Sequence, residues 1–294
     1  MIVVGKDDFS EGLAKELGVK HVELETRTFP NSEINPRVMN EAKGEKVLVV
    51  LRTGSQEKHH PNRLVIETLL AVRQLKEMGA EPIVVWPWFP YSLQDESFRD
   101  GEPKSAEYVL DMLHTSGATA FFTVSAHMDR GEGKMDYYTK MPCYTLSGFK
   151  AIAEYLKGKV TGPVVIGPDF TSNESAKEVQ AVLGGEVNSV EKARDKETGE
   201  TEITKHDVKE LVGKDVVVVD DIANTGGTLA GAIKLCKENG ATKVVSCVVH
   251  PVLAEDCLAK VSGEGEFVAT DTIDSPISKI TVVPALAGLI QKQL

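Results

Sequence analysis

Val216-Val217-Val218-Val219-Asp220-Asp221-Ile222-Ala223-Asn224-Thr225-Gly226-Gly227-Thr228 decides how this chain is read. Four consecutive β-branched residues after Lys214-Asp215 predict a short strand buried on both faces, the usual state of a central parallel strand. A helical pattern follows over 230–238. Between the two come paired carboxylates and a turn of small, hydroxyl-bearing residues, whose glycines let backbone N–H groups approach a ligand closely. A helix N-terminus adds exposed donors and partial positive charge, worth about 0.3–1 kcal/mol to an anion at an exposed site. Thr225 and Thr228 add hydroxyl donors. The segment therefore reads as a phosphate cradle, and the acids upstream, which a phosphate repels, serve hydroxyls or a divalent cation. Gly226-Gly227 taken alone also fits an ordinary strand-to-helix turn. No GK[ST] tripeptide occurs, and neither 131–134 nor 263–265 completes GxGxxG, which removes the Walker-type and dinucleotide readings.

Working outward, 294 residues with 41% apolar content are enough for a substantial core and favour one large or two medium domains, of which two are expected. A net charge of −11 argues against a nucleic-acid surface but leaves room for a local basic site that takes a small anion. Cys143, Cys236, Cys247 and Cys257 show no CxxC spacing and are expected to be buried free thiols of a reducing compartment. Without a basic leader or a long apolar run, the chain is expected to be cytoplasmic, with no membrane partner.

Strand-like and helical segments alternate throughout. Strands are predicted over 47–51, 82–86 and 120–124, with helices over 62–78 and 105–114. The pattern restarts after Cys143 with helices over 148–156 and 175–183 around a strand over 164–166. This is the βαβ signature of a mostly parallel sheet. Lys76-Glu77-Met78-Gly79-Ala80 and Lys237-Glu238-Asn239-Gly240-Ala241 each precede a strand that ends in proline, Pro87 or Pro251. In both, glycine suits a left-handed helix end. Chance or a common helix-end device explains this repeat as well as duplication does.

The string 220–228 resembles the phosphoribosyl-diphosphate loop shared by type I phosphoribosyltransferases and ribose-phosphate diphosphokinases. Further segments favour the second family. Phe29-Pro30-Asn31-Ser32-Glu33 is similar to its Phe-x-Asp-Gly-Glu, although a plain turn between strands also fits. Pro90-Tyr91-Ser92-Leu93-Gln94-Asp95 and Gly101-Glu102-Pro103-Lys104-Ser105-Ala106 resemble Tyr-Ala-Arg-Gln-Asp and Arg-Glu-Pro-Ile-Ser/Thr-Ala. Ser125-Ala126-His127 stands for Asp-Leu-His, Gly167-Pro168-Asp169 for Ser-Pro-Asp, Lys192-Ala193-Arg194 for Lys-x-Arg, and His250-Pro251-Val252-Leu253 for His-Pro-Val-Leu. The matches run from Phe29 to Leu253 in the family's order.

The resemblance implies an α/β fold of two phosphoribosyltransferase-like (Rossmann-like) domains, each a mostly parallel sheet flanked by helices. These are 1–143 on the ATP side and 144–294 on the ribose 5-phosphate side, with the last helix packing back on the first. It implies transfer of the β,γ-diphosphoryl group of Mg-ATP to the 1-hydroxyl of ribose 5-phosphate, in a homo-oligomer, with Mg²⁺ as cofactor. Asp220, Asp221, Asn224, Thr225, Gly226, Gly227 and Thr228 would bind ribose 5-phosphate; Phe29, Asn31, Glu33, Gln94, Asp95 and Arg99 would meet ATP. Lys192 and Arg194 would be catalytic, in a mobile loop continuing through 195–202, which also reads as a solvated hairpin. His127 and Asp169 would attend the metal. The sequence departs from the pattern at Leu93 in place of Arg, Ser125 and Asn31 in place of Asp, Ser32 in place of Gly, Asn224 in place of a frequent Asp, and Phe170-Thr171-Ser172 in place of His-Gly-Gly. Because most departures fall on the ATP side, a non-catalytic regulatory paralogue stays open, as does a phosphoribosyltransferase, which needs no ATP segment.

Overall fold

A computed structural model describes residues 1–39, 42–54, 60–129, 131–168, 172–189, 192–194, 201–203 and 211–294. They form two compact units, Met1–Ser147 with Val282–Leu294, and Gly148–Thr281. In chain order the first unit runs β1 (Ile2–Gly5), α1 (Asp8–Leu17), β2 (Lys20–Glu23), β3 (Glu25–Thr28), β4 (Ile34–Arg37), β5 (Lys46–Val50), α2 (His60–Glu77), β6 (Glu81–Val85), α3 (Ser105–Ser116), β7 (Ala120–Val124), β8 (Gly133–Lys134) and β9 (Cys143–Leu146). The second runs α4 (Phe149–Leu156), β10 (Val164–Gly167), α5 (Asn173–Leu183), β11 (Glu186–Ser189), β12 (Lys192–Arg194), β13 (Thr201–Ile203), β14 (Asp215–Ala223), α6 (Gly227–Glu238), β15 (Lys243–Pro251), α7 (Cys257–Ser262), β16 (Glu266–Thr270) and β17 (Ser278–Ile280). Helix α8 (Val283–Gln293) then rejoins the first unit and packs on α1.

The first sheet has the order β2-β1-β5-β6-β7-β9-β8, parallel except for β8 against β9. The second, β11-β10-β14-β15-β16-β17, is parallel throughout. Val47 and Val49 of β5 join the cluster under α2 and α3, while Leu48 and Val50 are also fully buried. Burial of successive residues means that both sheet faces are covered, as parallel strands require.

The two units repeat one plan. β1, β2, β5, β6, β7 and β9 occupy the places that β10, β11, β14, β15, β16 and β17 hold in the second sheet, and each plan inserts an antiparallel hairpin after its second strand, β3–β4 or β12–β13. Gly79 and Gly240 end their helices at φ 79° and 86°, and each donates its N–H three residues back, to Lys76 and Lys237. The short sequence repeat is thus the visible part of a topological one, which a helix-end device alone does not produce.

Two boundaries differ from the sequence reading. The decisive strand does not stop at Val219 but carries both acids and ends at Ala223, because β15 stays paired with it through Ile222 to His250 and Ala223 to Pro251. Helix α6 starts at Gly227 rather than near 230, since Gly226 turns the chain at φ 75° and its carbonyl accepts the N–H of Ala230 at 2.9 Å. All four cysteines are free and buried, and burial pushes the Cys143 and Cys236 thiols up to about 12. Among the described residues no helix is long and apolar enough to cross a membrane.

Candidate active site

In open parallel sheets, ligands bind outside the carboxyl ends of the strands. In the second unit that edge carries the ends of β14 and β10, the hairpin after β11, and the turn after β15. Asp220 is buried at the end of β14, and its Oδ1 accepts the hydroxyl of Ser172 at 2.9 Å and the N–H of Asp221 at 3.0 Å. Asp221 is half-buried, and Asn224 and Thr225 are exposed on the turn. These residues, with Gly226, Gly227 and Thr228, are brought together by one strand–turn–helix passage.

The turn rests on α7. A methyl group on Gly226 would meet Cys257 Sγ at 2.8 Å and Val261 Cγ2 at 2.9 Å, so both its left-handed backbone and this approach require glycine. One on Gly227 would meet nothing within 4 Å, so the space at the head of α6 is open. Lys260 donates Nζ to the Thr225 carbonyl at 3.3 Å and pairs with Asp256 at 2.8 Å. From the other side Leu253, at φ 53°, donates its N–H to Ala223 at 2.9 Å, and buried His250 bonds Thr272 through Nδ1 at 3.0 Å. The His-Pro-Val-Leu segment therefore braces the cradle. Ser172 and Lys260 were not visible as site residues in the sequence, since each acts across 48 or 35 residues that only the fold brings together.

Lys192 and Arg194 lie on β12, paired with β13 at Ile203 and Thr201. Asp169 and residues 195–200 lie outside the described residues. In the first unit Phe29, Asn31 and Glu33 sit at the tip of β3–β4, closed by the Phe29 N–H on the Glu33 carbonyl at 2.8 Å. Ser32 takes φ 70° there, and the Arg27 guanidinium lies 4.6 Å from the Phe29 ring centroid. Gln94 and Asp95 lie on the passage from β6 to α3: the Gln94 carbonyl accepts the Ala106 N–H at 3.1 Å, and the Asp95 carbonyl accepts the Tyr137 hydroxyl at 2.8 Å. Arg99 is exposed on the same passage, its N–H on Glu102 Oε2 at 3.1 Å. His127 is half-buried on the turn after β7. All these segments leave the carboxyl edge of the first parallel sheet.

The model of the N-terminal domain of ribose phosphate pyrophosphokinase matches residues 2–117, and that of the phosphoribosyl transferase domain matches residues 145–280. A ribose-phosphate pyrophosphokinase of Methanothermobacter thermautotrophicus is 37% identical over 272 residues, 91% of each chain. That of Sulfolobus acidocaldarius is 32% identical over 99% of this chain and 100% of its own. The crystal structure of phosphoribosylpyrophosphate synthetase from Mycobacterium smegmatis superposes with a TM-score of 0.82 at 26% identity, covering 99% of this chain and 97% of that one. The chain belongs to the ribose-phosphate pyrophosphokinase family of transferases.

Proposed function

We propose that this chain transfers the β,γ-diphosphoryl group of Mg-ATP to the 1-hydroxyl of ribose 5-phosphate, giving phosphoribosyl diphosphate and AMP. The observation that carries the reading is the cradle at the end of β14: two carboxylates on the strand, then an open glycine turn at a helix N-terminus. Phosphoryl transfer is catalysed mainly by positioning and charge stabilisation, and each group has a part in that. The N–H groups and hydroxyls of Thr225 to Thr228 hold the 5-phosphate, while Asp220 and Asp221 orient the ribose hydroxyls. Lys192 and Arg194 meet the charge that grows on the transferring oxygens, Arg as a fork of donors and Lys as a point charge. Phe29, Asn31 and Glu33 face the adenine, and Gln94, Asp95 and Arg99 the rest of ATP.

The donor chemistry fits magnesium, a hard cation usually held by one or two carboxylates together with substrate phosphates. Asp220 and Asp221 offer such oxygens, with Asp169 and His127 as the family's further candidates; among the described residues no group of three or more His, Cys, Asp or Glu forms an all-protein cage. When bound, the cation neutralises phosphoryl charge. Assembly as a homo-oligomer and a cytoplasmic location belong to the same reading. Pure protein with ribose 5-phosphate, ATP and magnesium should form AMP and phosphoribosyl diphosphate; ADP as the main nucleotide, or no turnover, overturns it.

A further inference from the structure

The hairpin β3–β4 is a two-stranded sheet of its own, and among the described residues its strands pair with neither large sheet. Such a ribbon is marginal in water unless something anchors it, and most of its residues are exposed. Its anchor is a buried carboxylate. Glu67 of α2 leaves only 1% of its side chain exposed, which is costly for a charge unless well paired. Its Oε1 accepts the Thr26 hydroxyl at 2.6 Å, and its two oxygens accept Lys6 Nζ at 3.1 and 2.9 Å. One helical turn earlier, Arg63 donates Nη2 to the Thr28 hydroxyl at 3.1 Å, with its Nε 3.9 Å from Glu67. Thr26 and Thr28 share one face of β3, and Arg63 and Glu67 share one face of α2. Two polar rungs thus join strand to helix immediately before the Phe29 tip.

We propose that Glu67 is a positioning residue: through Thr26, and with Arg63 on Thr28, it fixes the hairpin relative to α2 and so sets where the Phe29–Glu33 tip stands. Removing Glu67 alone would leave Lys6 and the Thr26 hydroxyl without their shared acceptor, so its worth lies in the geometry of the pairing rather than in burial itself. Directional bonds to two hydroxyls fix an orientation, which apolar packing does not. That the tip serves ATP rests on the function proposed above; that the strap holds the tip does not.

The test is Thr26→Val in the full chain, which removes one rung and keeps Glu67 paired with Lys6, beside Thr26→Ser, which restores the hydroxyl. Hydrogen exchange read residue by residue should show the Phe29 and Ser32 amides opening faster in Thr26→Val, with 47–50 unchanged and Thr26→Ser like the wild type. The Michaelis constant for ATP should rise about tenfold, the weight of one hydrogen bond to a charged group, while that for ribose 5-phosphate and the turnover number hold. Glu67→Gln, which keeps the shape, should shift both readouts the same way. Unchanged hairpin exchange overturns the strap, and an equal rise in both Michaelis constants overturns its role in positioning. Faster exchange in a chain that forms no AMP would leave the strap standing and remove the activity reading instead.

Discussion

Ser172, at the head of α5, gives its hydroxyl to Asp220 at the end of β14, Oγ to Oδ1 at 2.9 Å, and both side chains are buried. Ser172 is the N-cap of its helix but makes no side-chain cap bond, so its hydroxyl is turned to the strand instead. It also stands where the family pattern has glycine. The departure therefore adds a bond that holds one carboxylate in place.

Ser172→Ala should lower stability by about 1–3 kcal/mol, the cost of removing a partner from a buried polar group. It should also raise the Michaelis constant for ribose 5-phosphate while leaving that for ATP. Urea unfolding and steady-state kinetics check both. A variant of unchanged stability and unchanged ribose 5-phosphate dependence would sink the assignment of Asp220.

The two glycines of the cradle should separate fold from function. Gly226→Ala forces a methyl against Cys257 and Val261 on a backbone at φ 75°. It should cost roughly 2–4 kcal/mol from left-handed strain and overpacking together. Gly227→Ala meets nothing within 4 Å and should leave stability level or slightly higher. If the 5-phosphate sits in the open space beside Gly227, the second variant still loses ribose 5-phosphate affinity, as calorimetric titration would show. Full affinity in Gly227→Ala would place the phosphate elsewhere.

What the sequence disclosed and what it withheld divide along physical lines. Val216 to Val219 announce a central strand because a strand buried on both faces must be apolar at every position. The helix ends at Gly79 and Gly240 are legible because left-handed backbone selects glycine. The continuation of β14 through Asp220 and Asp221 was hidden: local composition speaks for a turn, and pairing with β15 overrides it. The bonds from Ser172 to Asp220 and from Lys260 to Thr225 were hidden too, because a serine or a lysine carries no mark of its partner across the fold. Glu67 likewise carries no mark in the sequence of its bond to Thr26, because α2 and β3 meet only in the fold.

Lys192→Ala and Arg194→Ala should lower turnover by about 10²–10³-fold, the usual loss when a donor that meets transition-state charge is removed. Their Michaelis constants for ribose 5-phosphate should stay near that of the wild type, whereas Thr228→Val should chiefly raise it. Rapid-mix measurement of AMP formation separates the two effects. Wild-type turnover in both charge variants would remove them from the mechanism.

Leu93 poses the sharpest question about the ATP side. The family pattern has Arg there, and Leu93 leaves 40% of its surface exposed on the passage from β6 to α3, where Arg99 is exposed as well. A charge-assisted hydrogen bond is worth about 1.5–3 kcal/mol when well placed, so its loss is measurable. If Arg99 supplies the missing cation, Arg99→Ala should raise the Michaelis constant for ATP by roughly ten- to a hundredfold, the same energy expressed as affinity. Leu93→Arg should then add little. If nothing supplies it, Leu93→Arg should lower that constant by a similar factor, and the natural chain works below the capacity of its site. ATP titrations of the two variants against the wild type decide between the cases, and no effect in either would mean that this passage does not face the nucleotide.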